Sequence, residues 1–95
     1  MKPVNLSRRA ETDLAEAVGF IARENPAAAI AMRHRIAEAF ALFARFPEAG
    51  IAQPGQAERI LQAKGTPYRL IYRSDMAGVV ILRIWHGARS WPPVS

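Results

Sequence analysis

Residues 57–86 read AERILQAKGTPYRLIYRSDMAGVVILRIWH, and the fold is decided there. Apolar side chains in this stretch return at every second position, the period of strands. Gly65-Thr66 suits a two-residue turn, and Ser74 to Gly78 a looser one. Three antiparallel strands are therefore expected, over roughly 57–64, 67–74 and 78–86. Pro67 cannot donate to a ladder, which the first position of a strand tolerates. Val79-Val80-Ile81-Leu82 is apolar on both faces, as an interior strand should be.

The turns suggest a register. With Lys64 opposite Pro67, Glu58 meets Arg73, Ile60 meets Ile71, and Gln62 meets Arg69. With Arg73 opposite Val79, Leu70 meets Leu82, Tyr72 meets Val80, and Tyr68 meets Ile84. One face then carries Leu61, Ala63, Tyr68, Leu70 and Tyr72 toward a core. The other carries Gln62, Arg69, Ile71, Arg73, Ile81, Arg83 and Trp85, with Arg69 directly opposite Arg83. Like charges across a ladder are destabilising. Such a face makes physical sense where something acidic and partly apolar binds it.

Upstream the period changes to that of helices. After a short extended stretch at Val4, Ser7 can cap a helix running to Glu24, with Ala10, Leu14, Ala17, Val18 and Ile21 on one stripe. Asn25-Pro26 is a cap followed by proline at the first helical position, so a second helix starts at once. Its stripe is Met32, Ile36, Ala39, Phe40, Phe43 and Phe46, and it stops before Pro47. The three phenylalanines read as core. Two striped helices joined by a tight turn make an antiparallel hairpin, and Glu48 to Gln56 is a loop with a Pro54-Gly55 turn. The expected architecture is α+β: a short N-terminal strand, a helical hairpin, then a three-stranded antiparallel sheet. The 95 residues have room for one domain, 1–95.

Charge is unevenly spread. Residues 1–58 hold seven Lys/Arg and seven Asp/Glu, whereas 59–95 hold six Lys/Arg against Asp75 alone, so the C-terminal part carries the whole net +5. A field of one sign steers acidic partners, nucleic acid or an acidic protein segment. The absence of cysteine fits a reducing compartment, and Met1 to Ser7 lacks the apolar run of a secretory signal. No apolar run approaches the roughly 20 residues of a membrane span. A cytoplasmic protein is expected. Two histidines 52 positions apart, His34 and His86, offer no metal-ligand spacing, and no cofactor loop is present. His34, between two arginines, reads as a solvated helix position.

Three segments in this order resemble the RelE/ParE toxin superfamily. Ser7-Arg8-Arg9-Ala10 followed by Asp13-Leu14 looks like the start of its first helix. Pro67-Tyr68-Arg69-Leu70-Ile71-Tyr72-Arg73 is similar to its middle strand. Val79 to Trp85 with His86-Gly87-Ala88-Arg89 is similar to its last strand and the segment after it. The resemblance implies a type II toxin neutralised by a cognate antitoxin, an acidic protein with a DNA-binding N-terminal half. That antitoxin would wrap the hairpin and the sheet, and Arg69, Arg73, Arg83 and Trp85 are the residues expected to meet it.

The resemblance implies one of two activities. RelE-like members cut messenger RNA on the ribosome without a metal, and by position Lys64, Arg69, His86 and Arg89 would serve that chemistry: cations at the pentacoordinate phosphate and an acid at the leaving oxygen. ParE-like members poison DNA gyrase by binding it. The tail Ser90-Trp91-Pro92-Pro93-Val94-Ser95 departs from the nuclease pattern, since it has no tyrosine. The ending from His86 to Arg89 looks more like ParE-type relatives. The gyrase poison is the preferred reading, with Arg89 and Trp91 as target-binding residues, and Trp91 equally suited to anchoring the tail on the sheet edge.

Overall fold

The computed structural model describes residues 1–89. Its elements are β1 (Val4–Leu6), α1 (Arg8–Glu24), α2 (Pro26–Arg45), β2 (Ile51–Ala52), β3 (Arg59–Gln62), β4 (Tyr68–Asp75) and β5 (Gly78–His86). The helices begin where their caps demand. Ser7 Oγ accepts from the Ala10 amide, Asn25 Oδ1 accepts from the Ala28 amide, and Pro26 opens α2.

The three antiparallel strands expected are β3, β4 and β5, and the sheet extends beyond them to five in the order β1-β5-β4-β3-β2. β1 pairs in parallel with β5, and β2 pairs with β3. Two or three residues are too few to show a period, so neither pairing could be read locally. The hairpin lies on one face. α2 buries Ala29, Met32, Ile36, Ala39 and Phe43, and α1 buries Ala10 and Ala17, against Ala63, Leu70, Tyr72, Val79, Ile81 and Ile84. Of the three phenylalanines expected in the core, Phe43 is fully buried and Phe40 partly so. Phe46 is the C-cap of α2, has left the helical spacing, and is 60% exposed.

The β3–β4 register is the expected one, with Ile60 opposite Ile71 and Gln62 opposite Arg69. Glu58 falls outside the ladder and its carbonyl accepts from the Gln53 amide instead of facing Arg73. The β4–β5 register differs. Asp75 Oδ1 accepts from the amides of Ala77 and Gly78, which pulls the connection into a two-residue turn with Asp75 opposite Gly78. Arg73 therefore faces Val80, not Val79. A bulge comes next: Tyr72 pairs with Ile81 and Ile71 with Arg83, so Leu82 has no partner across the ladder. The consequence is a change of parity along β5. Before the bulge Val79 and Ile81 enter the core and Val80 faces out; after it Ile84 enters the core. The expected pairs Leu70–Leu82, Tyr72–Val80 and Tyr68–Ile84 are replaced by Leu70–Ile84, Tyr72–Ile81 and Tyr68–His86. Arg69 and Arg83 are not opposite each other, which removes the like-charge pair.

Candidate functional site

The face of the sheet away from the hairpin is built by alternate residues of β3, β4 and β5. Gln62, Arg69 and Trp85 form one row across it, and Ile60, Ile71 and Arg83 the next, with Arg73 and Val80 beyond. Ile71 is fully buried although no helix covers it and it stands outside the helix-side core. Its neighbours by register are Ile60 and Arg83 across the ladder and Arg69 and Arg73 along β4, long side chains whose aliphatic stems can cover apolar surface.

Trp85 is only 7% exposed on this face. The Arg83 guanidinium lies 4.9 Å from its ring centroid and that of Arg89 5.5 Å, both within cation–π range. Its Nε1 donates to the Arg89 carbonyl at 3.2 Å, which ties down the turn after β5. Arg83 is also held from the other side. Its Nε and Nη2 donate to the two carboxylate oxygens of Asp13 in α1, at 2.7 and 3.2 Å. Asp13 Oδ2 additionally accepts from the Ile84 amide at 3.0 Å, and Arg9 approaches Oδ1 at 3.8 Å. Past Leu6 β1 no longer covers the edge of β5, so the carboxylate does there what a strand would do. The Ser7 hydroxyl, donating to the Leu82 carbonyl, does the same one step earlier.

Four residues expected to meet an antitoxin therefore share this face but are not equivalent. Arg83 and Trp85 are engaged within the domain. Arg69 and Arg73 have no side-chain hydrogen bond or ion pair among the described residues. A Cβ on Gly87 would stand 3.7 Å from Arg69 Nε, so that guanidinium lies beside the turn after β5.

Of the residues named for nuclease chemistry, Arg69 and Arg89 share the open face at Trp85, and Lys64 and His86 do not join them. Lys64 is exposed in the β3–β4 turn. His86 pairs with Tyr68, and their rings meet edge-on at 5.3 Å on the helix side, the face opposite Arg69. His86 Nδ1 accepts from the Ala88 amide at 3.0 Å, which ties the ring to the turn after β5. Tyr68 and Tyr72 are buried in the core, as expected. The Tyr72 hydroxyl accepts from the Gly50 amide and donates to the Pro47 carbonyl, which pins the loop after α2. Burial pushes its pKa up, with the Gly50 bond and Arg59 working the other way. Trp91 lies outside the described residues.

Sequence reading had Asp13 only as part of a helix start, because its partner is 70 residues away. It named the hairpin as a surface for the antitoxin but not the residues of the groove along it. There an open cavity of about 680 Å³ is lined by Leu14, Arg33, Ala37, Phe40 and Ala41, among others, and a neighbouring one of about 420 Å³ shares Leu14 and Arg33. Among the described residues, no helix is long and apolar enough to cross a membrane, and no three His, Asp or Glu side chains gather as a metal site would require.

A family model described as the ParE toxin of the type II toxin–antitoxin system, parDE, matches residues 4–91. The chain belongs to the ParE toxin family. It is thus the toxin of a type II pair, and a ParE-family toxin implies an antitoxin partner. No curated protein matches it. Among solved structures it is similar to a chain of the "Chromosomal ParDE TA system from P. aeruginosa", 21% identical, over 90% of this chain and 96% of that one, with a TM-score of 0.76. At that identity the likeness shows the fold. The strand, hairpin and sheet implied by the resemblance are the ParE fold.

Proposed function

We propose that this ParE-family toxin arrests growth by binding DNA gyrase in the cytoplasm, with no catalysis of its own. The observation that carries the reading is the placement of Arg69 and His86 on opposite faces of the sheet. A phosphate-supporting cation and a proton donor must reach one reacting phosphodiester from about 3 Å each. These two cannot, and no tyrosine stands free to replace either. Binding makes no such demand, since it works through area and a few anchors. Arg89 and Trp91 are the residues assigned to the target.

Neutralisation is read as a two-part contact. An amphipathic antitoxin segment would lay its apolar side in the groove at Leu14, Ala37 and Phe40. Its acidic continuation would cover Arg69, Arg73, Arg83 and Trp85. An acidic antitoxin whose N-terminal half binds DNA fits both parts. The test is expression of the toxin alone and with its neighbouring reading frame. Growth arrest relieved by the neighbour, with gyrase-dependent double-strand breaks and induction of the DNA-damage response, is the expected result. Transcripts cut on translating ribosomes, without DNA breaks, would replace this reading by the endoribonuclease.

A further inference from the structure

The open sheet face carries Arg69, Arg73 and Arg83, with Arg89 at its end. Arg69 and Arg83 are diagonal neighbours across the β4–β5 ladder, because Arg69 pairs with Trp85 and Arg83 with Ile71. Arg73 stands two residues beyond Ile71 and is diagonal to Arg83 on the other side. Diagonal neighbours root about 7–8 Å apart on a ladder, so three arginines spring from the face in steps comparable to the spacing of successive phosphates along one strand of DNA. Arg89 adds a fourth beside Trp85. Asp13 offsets part of the Arg83 charge but fixes its direction, and Asp75 stands at the far end of β4, beyond Arg73.

We propose that this face binds the sugar–phosphate backbone of duplex DNA, so that the toxin grips the DNA its target holds. The inference rests on the gyrase reading and names a second component of that target. Three features select the ligand. The apolar floor is already covered, with Ile71 fully buried and Trp85 nearly so, and a peptide would find guanidinium groups but little apolar area to bury. Single-stranded nucleic acid is gripped by stacking bases on exposed rings, and the face's one aromatic ring among the described residues, Trp85, is 7% exposed and within cation–π reach of both Arg83 and Arg89. The amide on this face that could read adenine, Gln62, already donates to the Thr66 carbonyl, and the arginines stand on a sheet face where phosphates, the outermost groups of a duplex, are met first. What is left is backbone binding without sequence preference. Acidic antitoxin residues would occupy the phosphate positions, so DNA binding and neutralisation exclude each other.

The experiment is fluorescence anisotropy of the purified toxin with a labelled mixed-sequence duplex of about 20 base pairs. With a net three phosphates neutralised, affinity should fall about 40-fold between 50 and 200 mM salt. The Arg69→Gln, Arg73→Gln double variant, checked for its fold by circular dichroism, should lose at least about tenfold in affinity at low salt. Purified antitoxin should displace the duplex. No binding at about 100 μM protein in low salt, a salt-independent affinity, tighter binding to a single strand of equal length, or an unaffected double variant would each overturn the proposal. So would a face that takes the antitoxin but not DNA. A toxin that still yields gyrase-dependent breaks while failing to bind the duplex overturns this inference and leaves the gyrase reading standing. Duplex binding by a toxin that causes no such breaks supports the site and removes gyrase as the target.

Discussion

Asp13 and Arg83, 70 residues apart in the chain, meet as a two-pronged ion pair with side chains only 9% and 20% exposed. The carboxylate also takes the Ile84 amide, so one side chain docks α1 on the sheet, closes the β5 edge and aims Arg83 at Trp85. Removing one member of a buried pair leaves the other uncompensated. Asp13→Ala should therefore cost about 2–4 kcal/mol, read as a lower urea midpoint. Asp13→Asn keeps an acceptor for the Ile84 amide and should cost clearly less. Equal losses would mean that the pair with Arg83 carries the whole effect.

The Tyr72 hydroxyl serves the Gly50 amide and the Pro47 carbonyl in a buried position. Tyr72→Phe leaves both unpaired, and should cost about 1–3 kcal/mol. Limited proteolysis should then cut faster between residues 46 and 58.

The same tyrosine sets an alkaline limit. Its folded pKa is raised above the ordinary tyrosine value of 10.0, chiefly by burial. The folded state thus holds the proton more tightly than the unfolded chain, and this stabilisation is complete below the unfolded pKa. It is lost as pH rises from about 10 through the folded pKa. Urea unfolding between pH 8 and 11 should show a steeper alkaline decline for the native chain than for Tyr72→Phe; parallel curves would remove Tyr72 as the cause.

Gly78 has φ +148°, and a Cβ there would lie 2.6 Å from the Pro3 carbonyl oxygen, the acceptor of the Val79 amide. Gly78→Ala should push β1 off β5 and cost about 1–3 kcal/mol. Hydrogen exchange at the Val79 amide should rise with it. An unchanged rate would mean the strand shifts without letting go.

Function should follow binding groups, not titrating ones. His86→Ala should leave growth arrest intact, whereas deletion of residues 90–95, with Trp91, should abolish it in a chain that folds and binds antitoxin. The cut spares Arg89, whose carbonyl holds Trp85. A folded His86→Ala protein without toxicity would restore the nuclease reading.

Arg69→Glu with Arg73→Glu should weaken the antitoxin complex by at least about tenfold and flatten its salt dependence. Arg83 is left out of this pair because a glutamate there would face Asp13 and unsettle the fold. Unchanged affinity would confine the antitoxin to the hairpin groove.

By itself the sequence determined the helix starts, the helical stripes as far as Phe43 and the β3–β4 turn. Ser7 and Asn25-Pro26 start the helices where they begin, and Gly65-Thr66 sets the β3–β4 register, because backbone sterics and hydrogen bonds within a few residues suffice for these. The segments that resembled a toxin family were equally legible, and the family is the one that matches. Only the tertiary structure decided what depends on distant partners. The Asp75 turn and the bulge at Leu82 turned the first half of β5 over, a single-residue slip that no alternation in an all-apolar run can reveal. The edge of β5 met Asp13 from α1, which separated an occupied Arg83 from a free Arg69. Charge and composition were visible from the start; which charges remain available is set by long-range pairing, and that exists only once the chain has folded.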